Sequence, residues 1–223
     1  MGSIVSGVGV VDKSMAVLDA IERAGRPLGL AELVDTTGLP RATAHRLSSA
    51  LAVHGLLRRT DDGRFALGAR LVGLGHAASD GWPVAELARS ALAELCRTTG
   101  ESAQLYVRED DRRVCLVSIE SPHELRTIVA EGARLPLDVG SAGRLLAGNG
   151  AGPDGGGWTA SVEERAPGVA SVSAPVRDGS GRVVAAIGIS GPIGRVGTDP
   201  GPTYGPAVAA TAAEIEAELL SRR

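Results

Sequence analysis

The sequence predicts an α+β chain in two parts: a winged helix-turn-helix with a linker helix over about residues 1–80, and a mixed α+β domain over 81–223. Three observations predict it. Apolar residues recur at helical spacing through the first third and end on two short β-like runs around Asp61-Asp62-Gly63. After Glu101 the apolar period drops to that of strands. Between the two regimes Asp80-Gly81-Trp82-Pro83 breaks the chain. A length of 223 residues suits two modest domains, at about 100 to 200 residues each.

In chain order, Asp12 is expected to N-cap a first helix that carries Met15, Val17, Leu18 and Ile21 at helical spacing and that Gly25-Arg26-Pro27 closes. A second helix, about 29–37, turns Leu30, Leu33 and Val34 inward and stops at Gly38. Pro40 suits the first position of a third helix, which runs to about His54 with Ala44, Leu47, Ala50 and Leu51 on its apolar stripe and Gly55 as its C-cap. Helix, glycine turn and helix make the helix-turn-helix order. The runs 56–60 and 64–67, joined through Asp-Gly, form a hairpin and hence a wing. Residues 69–79 are a linker helix despite two glycines, and a stronger helix follows from Val84 to Thr99.

Strands are expected at 102–108, 113–120, 125–129, 169–176 and 183–189, all rich in β-branched residues and bounded by turn residues. A short helix at 141–147 and a closing helix at about 206–221 complete the second domain. Residues 148–157 (GNGAGPDGGG) are low in complexity.

Composition excludes several classes. The chain is 43% apolar but holds only five aromatics, so its cores are aliphatic and base-stacking platforms for single strands are absent. Cys96 and Cys115 fit no disulfide framework or zinc spacing, and with four scattered histidines no metal is expected. Pro153 stands where a dinucleotide fingerprint needs its last glycine, and Gly188-Ile189-Ser190-Gly191 lacks the spacing of a nucleophile elbow, so neither a cofactor nor a catalytic residue is expected. No stretch reads as a membrane span or a cleavable signal, which makes the cytoplasm the expected compartment.

Charge is unevenly spread. Residues 41–70 hold six arginines against Asp61 and Asp62, a local excess of four positive charges in a chain whose net charge is −3. An anionic partner for that one region follows. The third helix leaves Arg41, Ala42, His45, Arg46 and Ser49 outward, the first of them at its N-terminal end, where a recognition helix enters the major groove of double-stranded DNA. Arg41 and His45 can read base edges, Thr43 and Arg46 are better placed for phosphates, and Arg58, Arg59 and Arg64 extend the contact from the wing. Any one of these arginines taken alone is an ordinary solvated charge; their joint order favours DNA.

The segment LPRATAHRLSSALAVHGLL resembles the recognition-helix segment of the IclR family of bacterial transcription regulators, and GRFALGARLVGLG, LPLDVGSAGRLLA and GVASVSAPVRDGSGRVVAAIGISGP continue the resemblance along nearly the whole chain. GESAQLY and ERAPGVASVSAPVR are most similar to an actinobacterial subgroup linked to amino-acid, especially leucine, biosynthesis. The resemblance implies a GAF- or PAS-like second domain that binds a small-molecule effector, a dimer, and a dimer of dimers. It places Ser141, Ala142, Gly143, Ser171, Ser173 and Ser190 in the effector pocket. On its own terms Gly140-Ser141-Ala142-Gly143 opens a helix whose free N–H groups favour a carboxylate, while the three strand serines can aim hydroxyls at one ligand or simply bond nearby backbone. Two rival functions stay open at this point: a metabolite-binding module without DNA affinity, and a hydrolase using Ser141, Ser171 or Ser190.

Overall fold

The computed structural model describes residues 7–148 and 157–222, with the backbone alone at 79 and 80, and divides into two compact units between Gly81 and Trp82. The low-complexity run at 148–157 lies outside the described residues except for its two ends.

The first unit consists of α1 (Gly9–Ala24), α2 (Leu30–Thr37), α3 (Arg41–Val53), the antiparallel hairpin β1 (Leu57–Arg59) and β2 (Phe65–Leu67), and α4 (Arg70–Asp80). Its core is aliphatic apart from Phe65, the chain's one phenylalanine, which packs with Val17, Ile21, Leu28, Leu33, Leu51 and Leu57. Phe65 also exchanges both backbone hydrogen bonds with Leu28, at 2.9 Å each, so the wing is stitched to the loop before α2. Two expectations need correction. Asp12 does not cap α1; Val8 holds that position and Asp12 lies in the first turn, where its charge still suits the N-terminal dipole. Ala50 is exposed, and Ser48 takes its place beside Ala44, Leu47 and Leu51, because the buried arc is centred near Ala44 and Leu51 and Ala50 lies about 120° round the helix from Ala44. The end of α3 needs glycine: Gly55 is left-handed at φ 72°, and a Cβ on Gly68 would overlap the Gly55 carbonyl that it crosses.

The second unit is one six-stranded antiparallel sheet, in order β5-β4-β3-β8-β7-β6. The strands are β3 (Ser102–Glu109), β4 (Arg112–Ile119), β5 (Arg134–Pro136), β6 (Thr159–Val162), β7 (Val169–Arg177) and β8 (Val183–Pro192). Helices α5 (Pro83–Thr99) and α8 (Gly201–Ser221) cover one face over a large aliphatic core, Leu92, Leu105, Val172, Ile187 and Ile215 among it. The opposite face carries α6 (Ser141–Leu146) and a smaller core of Tyr106, Cys115, Leu145 and Ala186; α7 (Ile193–Val196) follows β8.

A β-bulge decides which β4 residues face which layer. Leu105 pairs with Val117 but Tyr106 pairs with Cys115, so Leu116 is an extra residue and the alternation of β4 reverses there. Val117 therefore joins the two-helix core, whereas Cys115 and Arg113 point to the α6 side.

Three more expectations change. Residues 125–129 form no strand: their alternation buries Thr127 and Val129, but the carbonyls of Leu125 and Thr127 accept from Arg195 and the Ser102 hydroxyl, outside any ladder. The edge beside β4 is β5 instead. Strand β6 was unmarked by any apolar run because Thr159 and Ser161 are its buried residues. Helix α8 begins five residues before the expected 206, since Gly201 and Gly205, four residues apart, leave a flat face on which the Trp158 ring lies.

Candidate functional site

Each unit carries one surface with chemistry. On the first, Pro40, with φ −55° and ψ 139°, turns the chain into α3, so Arg41 follows at once as the first helical residue. Arg41, Ala42, His45 and Arg46 are exposed and Thr43 is half-buried. Arg58 and Arg59 stand exposed on β1. The Arg59 guanidinium stacks 4.8 Å from the centre of the Phe65 ring and donates to His45 Nε2 at 3.3 Å. A guanidinium cannot accept, so that contact holds the His45 nitrogen as an acceptor and ties the wing to α3. Arg41, Arg46 and Arg58 have no ion-pair partner among the described residues.

Arg64 departs from the expected wing contact. It pairs with Glu32 at 2.9 Å and Asp62 at 3.1 Å, and Arg26 joins Glu32 at 2.8 Å. Hydrogen bonds from Arg26 and the Gly29 N–H hold the Glu32 carboxyl below its usual range. Arg64 thus fastens the hairpin to α2, its charge already matched by two carboxylates.

On the α6 face of the second unit, strand register lines up polar residues in two rows. Ser102, Ser190, Ser171 and Ser161 are cross-strand neighbours; Gln104, Gly188, Ser173 and Thr159 form the next row. Ser141, the first residue of α6, has its Oγ 2.8 Å from those of both Ser171 and Ser173, and Ser161 lies 3.0 Å from Ser171. Ser190 donates to Gln104 Oε1 at 3.1 Å. Gly188 is required here because a Cβ would overlap the Val172 carbonyl and the Ser173 hydroxyl. Gln104, Gly188, Ser171, Ser173 and Ser190 of these rows floor a small concavity, partly open to solvent, in which Ala142 also takes part.

Gln104, Arg113 and Arg165 are among the lining residues that were not anticipated. Arg113 is 3% exposed, stacks 5.4 Å from the Tyr106 ring centre, and donates through Nη1 to the carbonyls of Pro136, at 2.7 Å, and Val139. Gly143, expected as an effector contact, instead makes room for that guanidinium and the Leu137 carbonyl, both of which a Cβ would overlap; it does not line the cavity. The Gly140 N–H is likewise taken, by the Glu164 carboxylate at 2.9 Å. Burial lowers the pKa of Arg113, raises that of the Tyr106 phenol, and pushes the Cys115 thiol up to about 12, so the tyrosine and cysteine stay neutral at physiological pH. Alternation could have flagged Arg113, a charge in phase with Cys115, but the bulge that sets its face carries no sequence mark.

As a catalytic site the arrangement is poor. Ser141 meets only other hydroxyls, with no imidazole or carboxylate to activate it. Among the described residues no three His, Cys, Asp or Glu gather as metal ligands, and no helix is long and apolar enough to cross a membrane.

Comparison with known proteins agrees with this division of labour. The IclR helix-turn-helix domain profile matches residues 10–61, and the bacterial transcriptional regulator IclR C-terminal profile matches 76–150 and 155–217. The chain is 34% identical to the HTH-type transcriptional regulator KipR of Bacillus subtilis over 137 residues, 61% of this chain and 54% of that protein. It is 29% identical to the glycerol operon regulatory protein of Streptomyces griseus over 226 aligned positions, 86% of this chain and 88% of the relative. An IclR homologue from Microbacterium hydrocarbonoxydans, solved with 4-hydroxybenzoate, shares the fold with a TM-score of 0.75 at 21% identity, covering 94% of this chain and 98% of its own. With both profiles matched in order across most of its length, the chain belongs to the IclR family: it is a DNA-binding transcription regulator with a ligand-binding C-terminal domain, not an enzyme.

Proposed function

We propose that this regulator recognises its operator through Arg41, Ala42, Thr43, His45 and Arg46 of α3 with Arg58 and Arg59 of the wing, and that a small carboxylate held in the serine-lined cavity controls the affinity. The observation that carries the effector assignment is the concentration of buried donors in one cavity: serine hydroxyls from β7, β8 and α6 beside Gln104 and Arg113. Hydroxyls and N–H groups in a cavity that no carboxylate lines favour an acceptor-rich, negatively charged ligand.

Palindromic operators call for a two-fold reader, so the working form is a homodimer paired through α1 and the linker helix α4, and a dimer of dimers on extended operators. The exposed Val10, Val11, Met15, Val72 and Leu74 on those helices support the pairing. An effector that prefers one arrangement of the second units shifts the spacing of the recognition helices, and so changes DNA affinity without touching DNA. The protein acts in the cytoplasm, where the chromosome is, as a repressor of its own upstream region or of amino-acid, especially leucine-pathway, genes. GESAQLY and ERAPGVASVSAPVR support that pathway assignment.

Fluorescence anisotropy with the protein's own upstream DNA tests the proposal. Specific binding over a scrambled duplex is expected, with log affinity falling by about 0.9 per phosphate neutralised for each tenfold rise in salt. Small carboxylates should then shift the midpoint. Equal binding to both duplexes, or no response to any acid, overturns it.

A further inference from the structure

We propose that the effector carries two separate carboxylates, one bound by Gln104 and Arg113 on the cavity floor and the other by Arg165. The proposal rests on the carboxylate assignment above and sharpens it to a small dicarboxylate.

Two cations line this cavity and no Asp or Glu does. The acids nearest in sequence are committed elsewhere, Glu164 to Arg144 and to the Gly140 N–H, and Glu163 to the Gly168 N–H. On the floor, Gln104 is 2% exposed and Arg113 3%, yet Gln104 Nε2 and Arg113 Nε lack any hydrogen-bond partner. Both atoms are donors. A buried donor without a partner costs about 1 to 3 kcal/mol, so two such groups in one cavity are an unfilled acceptor site. Gln104 is held in the required sense, because Ser190 donates to its Oε1 and so fixes Nε2 as the donor left without a partner. The Tyr106 ring and the Pro136 and Val139 carbonyls fix the Arg113 guanidinium before any ligand arrives. That rigidity favours binding without an ordering cost.

Arg165 is the second cation. It lies between β6 and β7, is half-buried, and has no ion-pair partner among the described residues. It feels Arg113 as a like charge. The two guanidinium groups repel, Asp138 offsets the charge of Arg113 only in part, and an anion that answers one of them leaves the other uncompensated. The two stand on different elements, β4 and the β6–β7 connection. Charge on two separated centres matches that placement better than the single centre of a phosphate.

Titration calorimetry on the intact protein decides the matter with a homologous set of probes: malonate, succinate and glutarate against propionate, butyrate and valerate, with inorganic phosphate as a third arm. At least one dicarboxylate should bind about tenfold more tightly than its monocarboxylate counterpart, the effect of one more charge-assisted hydrogen bond. Arg165→Gln, a change at a half-exposed position that leaves the core intact, should erase that ratio while monocarboxylate affinity holds; Arg165→Lys should restore part of it. Gln104→Leu should weaken both classes. If monocarboxylates bind and dicarboxylates gain nothing, or Arg165→Gln leaves the ratio unchanged, the two-carboxylate proposal fails and the carboxylate assignment stands. Tighter binding of phosphate than of every dicarboxylate also overturns it. Failure of all acids to bind overturns both.

Discussion

Arg41 and Arg46 lie five residues apart on α3, and their expected roles differ enough to be separated by experiment. Arg46→Ala should weaken binding to all sequences alike and make the salt dependence shallower by about 0.9, the signature of one lost phosphate contact. Arg41→Ala should instead relax discrimination at one base pair by about 1 to 3 kcal/mol. Anisotropy against a set of single-base operator variants distinguishes the two outcomes. In the second unit Gly188→Ala must displace the Val172 carbonyl or the Ser173 hydroxyl. A loss of about 1 to 3 kcal/mol in urea unfolding is expected from such overpacking. Most of the strand serines at the site were visible in the sequence because two strands carried them in phase. Gln104 and Arg113 were not, since their importance depends on which neighbours the register supplies, and that is settled between strands rather than along one.

At the scale of elements, two ties hold the strands' ends. Asp178, in the turn between β7 and β8, accepts from the Ser180 hydroxyl and N–H and from Arg182, and these lower its pKa to about 2 from an ordinary 3.8. A depressed carboxylate stabilises the fold above its unfolded value and loses that contribution as pH falls through the folded one. Acid unfolding should therefore show a hairpin-dependent loss between about pH 4 and pH 2 that Asp178→Asn removes. Glu101, just before β3 and 1% exposed, is held by Nε and Nη2 of the Arg195 guanidinium, which links the start of β3 to α7 and then to the Leu125 carbonyl. Arg195→Met leaves that carboxylate buried and alone, at a cost of about 3 kcal/mol, the low end for a broken buried pair because Arg195 itself is partly solvated. Adding Glu101→Gln should recover part of the loss in the same thermal melt. The elements that sequence failed to show share a cause. Strand β6 buries hydroxyls, and the first turn of α8 is built from Gly201, Pro202, Gly205 and Pro206, residues of poor helix propensity that pay their way only by fitting Trp158.

Over the whole molecule the charge follows the division of labour. The first unit has nine basic and eight acidic residues and the second fourteen and eighteen, so the ligand-binding unit is net acidic while the serine-lined cavity has arginines alone among its charged lining groups. An isolated fragment of residues 82–223 should unfold cooperatively, bind the same acid within about threefold of the intact chain, and show no DNA affinity; a ligand at about a hundred times its Kd should stabilise it by about 2.7 kcal/mol. A fragment that is unfolded, or that needs residues 1–81 to bind the acid, would sink the assignment of sensing to the second unit alone.

The bulge at Leu116 sets how effector preference can change. Each strand of the sheet places its α6-facing residues out of phase with those under α5 and α8, so single substitutions at 104, 113, 171, 173 or 190 alter the ligand face without touching the aliphatic layer. Deleting one residue from β4 is different. Loss of Val114 would pair Arg113 with Val107 and carry it from the cavity into the layer of Leu105, Val107 and Val117, where a guanidinium has no acceptor, whereas loss of the bulge residue Leu116 would leave Arg113 and Cys115 on the cavity side. New specificities in this framework are thus reached by exchange of side chains, while insertions and deletions in β4 away from the bulge are expected to give insoluble protein rather than altered sensors.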